Sequence, residues 1–183
     1  MRLARLPGAT ICLAVALAGM VLSAPAAADK SELDHQLKVM ADRTAFAGFS
    51  LPDLNGRTHT PDELRGKVAI LNFWAVWCPP CREEMPSLER LRKRLADKPL
   101  VVVAIAQGET SESVRAYLGT LKPAPNFLNL LDADWSTTTA YGVRGLPTSF
   151  ILDKHGRIAF QALGGREFDH PNVIKDIEKL LAE

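Results

Sequence analysis

Long apolar runs of bulky residues alternate along the chain with amphipathic and polar stretches. A continuous apolar run of this length is typical of a strand that is buried on both faces. Such runs occupy residues 67–77, 100–106 and 127–132. Two hairpins are predicted as well, one in residues 49–60 around Asn55-Gly56 and one in residues 148–163 around a polar turn.

Apolar residues that recur every three or four positions predict three helices. The first begins at Pro79 and Pro80, which suit a first helical turn because no backbone N–H is needed there, and it runs to about Ala96. The second covers residues 111–121, and the third lies within residues 169–183. Strands that alternate with helices, followed by a hairpin and a last helix, indicate an α/β fold with helices around one mixed sheet.

The first 28 residues have the layout of a secretory signal peptide. Arg2 and Arg5 precede an apolar stretch at 11–22, and Ala26-Ala27-Ala28 provides small residues for cleavage. The apolar stretch is shorter than the roughly 20 residues of a membrane-spanning helix. We therefore expect export to the periplasm or an equivalent compartment, with an uncleaved membrane anchor as the alternative.

The chain length and the net charge limit the number of domains and the kind of partner that can be expected. The 183 residues suffice for one ordinary domain and are short for two. We predict that domain at 46–183, after a short helix or loose leader at 29–45. The formal net charge of +1 gives no reason to expect a nucleic-acid partner. Without the signal peptide only two of the three cysteines remain, Cys78 and Cys81.

Cys78 and Cys81 could form a metal clip, a structural staple or a reactive pair. A structural zinc site needs four ligands, and the histidines show no partnering spacing, so zinc is disfavoured. A disulfide across two residues closes too short a loop to stabilise the fold much. The redox interpretation has a mechanism, because the unpaired N–H groups at a helix start favour a thiolate. It makes Cys78 the attacking sulfur and Cys81 the more buried, resolving one.

The wider motifs resemble a known family. "NFWAVWCPPC" resembles the active site of the thioredoxin superfamily. Together with "LPDLNGRTHTPDELRGK" before it and "YGVRGLPTSFILDKHGRI" after it, the pattern is similar to exported thiol-disulfide oxidoreductases of the TlpA, ResA and DsbE type. The resemblance covers residues 46–181. It implies a thioredoxin fold with an N-terminal hairpin and an inserted strand–helix unit.

The resemblance also assigns roles to residues around the cysteines. Pro147 matches a cis-proline that faces the disulfide, and Glu84 matches an active-site acid that exchanges protons with the cysteines. An ordinary turn proline and an exposed helix glutamate are the alternatives. Asn72 stands where ordinary thioredoxins have a buried acid, which increases the weight on Glu84. The residues expected to contact a substrate are Trp77, Pro79, Pro80, Leu146 and Pro147; Trp74 is expected to be core.

The predicted activity is disulfide exchange with the thiols or disulfides of exported proteins, without a cofactor. We expect the protein to act as a reductant, for example in cytochrome c maturation or metal-site assembly, with a membrane thiol donor to recharge it. One motive is that the Glu84 carboxylate should repel the thiolate and make the dithiol more reducing. The alternatives are a disulfide-forming oxidant, a Cu(I) carrier and a thiol peroxidase.

Overall fold

A computed structural model describes residues 34–183, and six of its strands form one mixed sheet. The order across this sheet is β1-β8-β7-β4-β5-β6, and β2 pairs with β3 in a separate hairpin. The strands are β1 (Lys38–Val39), β2 (Leu51–Pro52), β3 (Thr58–His59), β4 (Val68–Trp74), β5 (Leu100–Gln107), β6 (Leu128–Asp132), β7 (Thr148–Leu152) and β8 (Ile158–Leu163). The helices are α1 (Pro79–Arg94), α2 (Ser111–Leu118), α3 (Ser136–Ala140) and α4 (Pro171–Ala182), with a single 3₁₀ turn at Pro61–Leu64.

Strand β4 is the centre of the sheet and is buried along its whole length. It runs parallel to β5 and antiparallel to β7. Its alternate side chains enter two apolar cores: Val68, Ile70 and Trp74 pack with residues of α1 and α4, whereas Ala69, Leu71 and Phe73 pack with residues such as Phe150. Burial on both faces explains why the sequence of β4 reads as one continuous apolar run.

The predicted fold class, both hairpins and the three long helices are confirmed. The helix suggested for the leader is wrong for the part that the structure describes. Lys38 and Val39 instead pair with Gln161 and Phe160 at the edge of the sheet, and Leu37 is buried in the core. The short helix α3 was not predicted, because its sequence, STTTA, has no apolar periodicity.

The proposed signal peptide lies outside the described residues, and so does Cys12, the third cysteine. Among residues 34–183, no helix is both long enough and apolar enough to cross a bilayer.

Candidate active site

Cys78 and Cys81 form a disulfide at the start of α1. Strand β4 ends at Trp74, the chain turns, and Cys78 occupies the cap position before Pro79. The backbone N–H of Cys81 donates to Sγ of Cys78 over 3.3 Å. After reduction the same donor and the helix dipole would stabilise a thiolate on Cys78. Cys78 is 3% exposed and Cys81 is fully buried, so the accessible edge of the pair belongs to Cys78.

Glu84 lies one helical turn after Cys81 and is fully buried. Two donors hold its carboxylate: Nδ2 of Asn72 lies 2.6 Å from Oε1, and the backbone N–H of Arg166 lies 3.0 Å from Oε2. Burial outweighs both hydrogen bonds and raises the pKa of Glu84 to about 8. The alternative of an exposed helix glutamate therefore applies to its neighbour Glu83, which is exposed, and not to Glu84.

The raised pKa corrects one argument from the sequence. We expected a charged Glu84 to repel the thiolate, but a carboxyl with a pKa of about 8 is mostly protonated at neutral pH. Glu84 can therefore serve as a proton donor there, and repulsion becomes important only as the pH approaches 8.

Asn72 joins Glu84 to the neighbouring strand. Its Nδ2 also donates to Oγ of Ser149 on β7 over 2.9 Å, whereas its Oδ1 has no hydrogen-bond partner within the described part of the chain. Because the Asn72 amide donates to Glu84, it stabilises the ionised form of that carboxyl. The position that carries an acid in ordinary thioredoxins thus holds a group that orients a proton carrier without carrying a proton itself.

The Leu146–Pro147 peptide bond is cis, as the resemblance implied. Thr148 pairs with Phe73, one residue before the end of β4. Pro147 therefore lies at the same end of the sheet as the C-terminus of β4, where the cysteine loop begins. The carbonyl of Pro147 accepts a hydrogen bond from the backbone N–H of Gly164. Leu146 makes no backbone–backbone hydrogen bond within residues 34–183. A second cis bond, Lys122–Pro123, was not predicted.

A groove of about 200 Å³ reaches the cysteine loop at Trp77, the residue before Cys78. Trp77, which is 63% exposed, and Leu146 both line it, and their contact with a substrate stays a prediction. Its other wall contains Gln107 and Trp135, which sequence reasoning missed. Pro79 is exposed and Pro80 is half-buried at the helix start, whereas Trp74 is buried in the core.

Trp135 is 46% exposed and has a left-handed backbone, with φ of 64°. This conformation is unfavourable for a residue with a Cβ. Its indole packs over Gly108, whose own φ is +65°. A Trp in the left-handed region leaves no periodic signal in a sequence, so only the folded chain reveals this wall of the groove.

Glu109 supports the loop that carries the cysteines. Its Oε1 accepts a hydrogen bond from the backbone N–H of Val76 over 2.8 Å, and its Oε2 accepts one from the hydroxyl of Ser113 over 2.7 Å. The inserted unit that begins with α2 is thereby tied to the active-site loop. Within residues 34–183 no three or more His, Cys, Asp or Glu side chains are grouped so that they could hold a metal ion.

Comparison with known proteins places this geometry in a family. The model of the Redoxin family matches residues 32–178. The thioredoxin-like protein YneN of Bacillus subtilis is 43% identical over 113 residues, which cover 60% of this chain and 64% of YneN. The chain thus matches just under two thirds of the length of YneN.

Two further comparisons agree with this family. The thiol-disulfide oxidoreductase ResA of Bacillus subtilis is 32% identical over 131 residues, covering 69% of this chain and 72% of ResA. A solved structure of a thiol:disulfide interchange protein of the thioredoxin family from Chlorobium tepidum superposes with a TM-score of 0.64 at 29% identity. That superposition covers 78% of this chain and 99% of the other.

Proposed function

Since this chain belongs to the Redoxin family, with the fold of the thioredoxin superfamily and TlpA-, ResA- and DsbE-like relatives, we propose that it is a thiol-disulfide oxidoreductase of exported proteins. The observation that carries the proposal is the position of the Cys78–Cys81 disulfide at the start of α1, beside a buried acid with a raised pKa. This combination supplies a stabilised thiolate, a resolving thiol and a proton carrier.

In the reducing direction the cycle begins with the dithiol. The Cys78 thiolate, whose proton has passed to the solvent, attacks one sulfur of a substrate disulfide, so a Cys78–substrate bond forms while the substrate bond breaks and the leaving sulfur takes a proton from the solvent. Cys81 then loses its proton and attacks Sγ of Cys78, which restores the Cys78–Cys81 bond and releases the second substrate thiol. The protein has given up two electrons and two protons.

Glu84 is the group proposed to move the proton of Cys81. It lies three residues after Cys81, which brings the two side chains onto one face of α1. An ionised Glu84 accepts the proton when Cys81 attacks, and a protonated Glu84 returns it when Cys81 leaves as a thiolate. Its pKa of about 8 allows both forms near physiological pH.

The substrate contacts are proposed to be the groove and the proline loop. Trp77 offers an exposed aromatic surface next to Cys78, and the backbone of Leu146 is free to pair with an extended segment of the partner. Pro79, Pro80 and Pro147 complete the surface around the sulfur. Partners of this kind are exported proteins that carry a thiol or a disulfide.

We propose reduction as the direction, with export through residues 1–28. In an oxidising compartment a further oxidant would be redundant, whereas a reductant would serve tasks such as cytochrome c maturation or metal-site assembly. A reductant there needs electrons from a membrane thiol donor. These assignments rest on the signal-like N-terminus and on the resemblance, and the charge argument for Glu84 no longer supports them.

The test combines the equilibrium potential against glutathione with the redox state of Cys78 and Cys81 in growing cells. We expect a dithiol in cells that becomes a disulfide when membrane thiol donors are deleted. A pair that stays oxidised in both strains, together with a potential close to about −120 mV, the value of a strong oxidant, would instead establish the oxidant alternative.

A further inference from the structure

Arg166 connects the leader to the active-site acid. It lies in the loop between β8 and α4 and is almost fully buried. Its backbone N–H donates to Oε2 of Glu84 over 3.0 Å, while its side-chain Nε donates to the backbone carbonyl of Gln36 over 2.7 Å. One residue therefore touches both the acid and the N-terminal segment.

The leader is fastened to this loop by several contacts. The backbone N–H of Asp34 donates to the carbonyl of Gly165 over 3.1 Å, and the backbone N–H of Glu167 donates to the carbonyl of Asp34 over 3.3 Å. The Asp34 carboxylate also lies 3.5 Å from Nη2 of Arg166. Leu37 then enters the main apolar core. Residues 34–37 thus cover the outer side of the loop whose inner side holds Glu84.

We infer that residues 34–37 of the leader act through Arg166 as a positioning element for Glu84, so that docking of this segment controls the protonation of the acid. This inference rests on the proposed role of Glu84. Two physical effects carry it. The docked leader keeps water away from the loop and from the acid behind it, and the fixed loop keeps one N–H aimed at the carboxylate.

Few charged groups other than Arg166 lie close enough to Glu84 to affect its protonation. Its own helix contributes Cys81 one turn earlier and Glu83, which is exposed; β4 contributes Asn72, which carries no charge. The loop contributes Arg166, whose positive charge lowers the pKa of Glu84 against the larger effect of burial. On the far side of Arg166 lie Asp34 and Glu167, whose carboxylate is 3.2 Å from Nε2 of His35.

Two substitutions distinguish the effect of water reaching Glu84 from the effect of the positive charge of Arg166. Replacing Leu37 by Asn puts a polar group in the core and should release the leader, so water reaches Glu84 and its pKa falls by about one pH unit or more. Replacing Arg166 by Gln removes the positive charge but keeps the backbone N–H, so the pKa should rise. The backbone contacts of Asp34 to Gly165 and Glu167 do not involve the Arg166 side chain, so they should keep the leader docked in Arg166→Gln.

The controls are Val39→Asn and Arg166→Lys. Val39 is 68% exposed in the same leader, so its substitution should leave Glu84 unchanged. Lysine keeps the charge and should retain most of the native titration. The direct measurement is a ¹³C NMR titration of the Glu84 carboxyl, assigned with Glu84→Gln, in variants whose circular dichroism shows an intact fold.

Equal Glu84 titration curves for the native protein and for folded Leu37→Asn and Arg166→Gln would overturn the inference. If Leu37→Asn does not fold, the milder Leu37→Ala against Val39→Ala decides it, because only the substitution in the core should loosen the leader and lower the pKa of Glu84. The titration needs no substrate. A protein that fails to exchange disulfides but shows these shifts would therefore refute the proposed function and leave the inference intact.

Discussion

Nδ2 of Asn72 lies 2.6 Å from Oε1 of Glu84, and both side chains are completely buried. The contact joins the central strand β4 to the helix that begins at the cysteines. The amide favours the ionised acid, burial favours the neutral one, and burial prevails, so the pKa of Glu84 is about 8. Asn72 thus limits how far burial can raise that pKa.

Replacing Asn72 by Leu should raise the pKa of Glu84 further, because the acid loses its strongest donor while it stays buried. The pH–rate profile of disulfide exchange should then move its inflection near pH 8 to higher pH. Ser149→Ala is the matched control, since Ser149 contacts Asn72 without donating to Glu84. Equal inflections in Asn72→Leu and the native protein would remove Asn72 from the account.

Stability should fall with rising pH through the titration of Glu84. Its pKa is about 8 in the folded protein and 4.5 when unperturbed, so between these values the folded state binds a proton that the unfolded state has lost. The associated stability is fully present below about pH 4.5, declines by up to about 1.4 kcal/mol per pH unit, and is lost as pH passes 8.

Urea unfolding of the native protein and of Glu84→Gln between pH 5 and about pH 9 checks this expectation. Glutamine does not titrate. As the pH rises, the free energy of unfolding of the native protein should therefore fall relative to that of Glu84→Gln. A difference that does not change with pH would mean that Glu84 keeps the same charge across this range.

Gly108→Ala should destabilise the protein more than Gly56→Ala. Both glycines have positive φ, so alanine costs about 1–2 kcal/mol of backbone strain at either site. At Gly56 the added Cβ meets open space, whereas at Gly108 it would clash with Nε1 of Trp135. Chemical denaturation measures the difference between the two losses in free energy of unfolding. Indole fluorescence should also change in Gly108→Ala. Equal losses would show that Trp135 moves aside freely.

Trp77→Ala and Trp135→Ala should slow exchange with a protein disulfide while sparing exchange with a small-molecule disulfide. Both indoles line the groove beside Cys78 and are partly exposed, so their loss removes contact area and not chemistry. The comparison of kcat/KM for the two substrates isolates this effect. Val39→Ala, on a distant edge strand, is the control for loss of an exposed apolar side chain. A parallel loss on both substrates would assign the tryptophans to the cysteine environment instead.

The sequence was sufficient wherever a local pattern determines the structure. The apolar run predicted β4, the two prolines predicted the start of α1, and Asn55-Gly56 predicted the turn between β2 and β3. The cysteines and Pro147 were found through motifs. Of the two structures suggested for the leader, the helix was wrong because Lys38 and Val39 join the sheet by backbone pairing with β8, and such pairing leaves no pattern in so short a segment.

The rest of the site depends on contacts between distant segments. Glu84 was predicted as an acid, but its neutral state near pH 7 results from burial between β4 and the loop at Arg166, which lie far apart in sequence. Gln107 and Trp135 line the same groove as Trp77 because β5 ends and α3 begins beside it. Neither periodicity nor spacing could indicate these neighbours.

The most direct test of the account is the identity of the sulfur that bonds to a substrate. Cys81→Ala, reduced and mixed with a protein disulfide, should accumulate a mixed disulfide through Cys78, which mass spectrometry of the linked peptides identifies. Cys78→Ala should form little adduct under the same conditions, because the Cys81 sulfur is fully buried. Adducts that form through Cys81 in Cys78→Ala, with none through Cys78 in Cys81→Ala, would contradict the account.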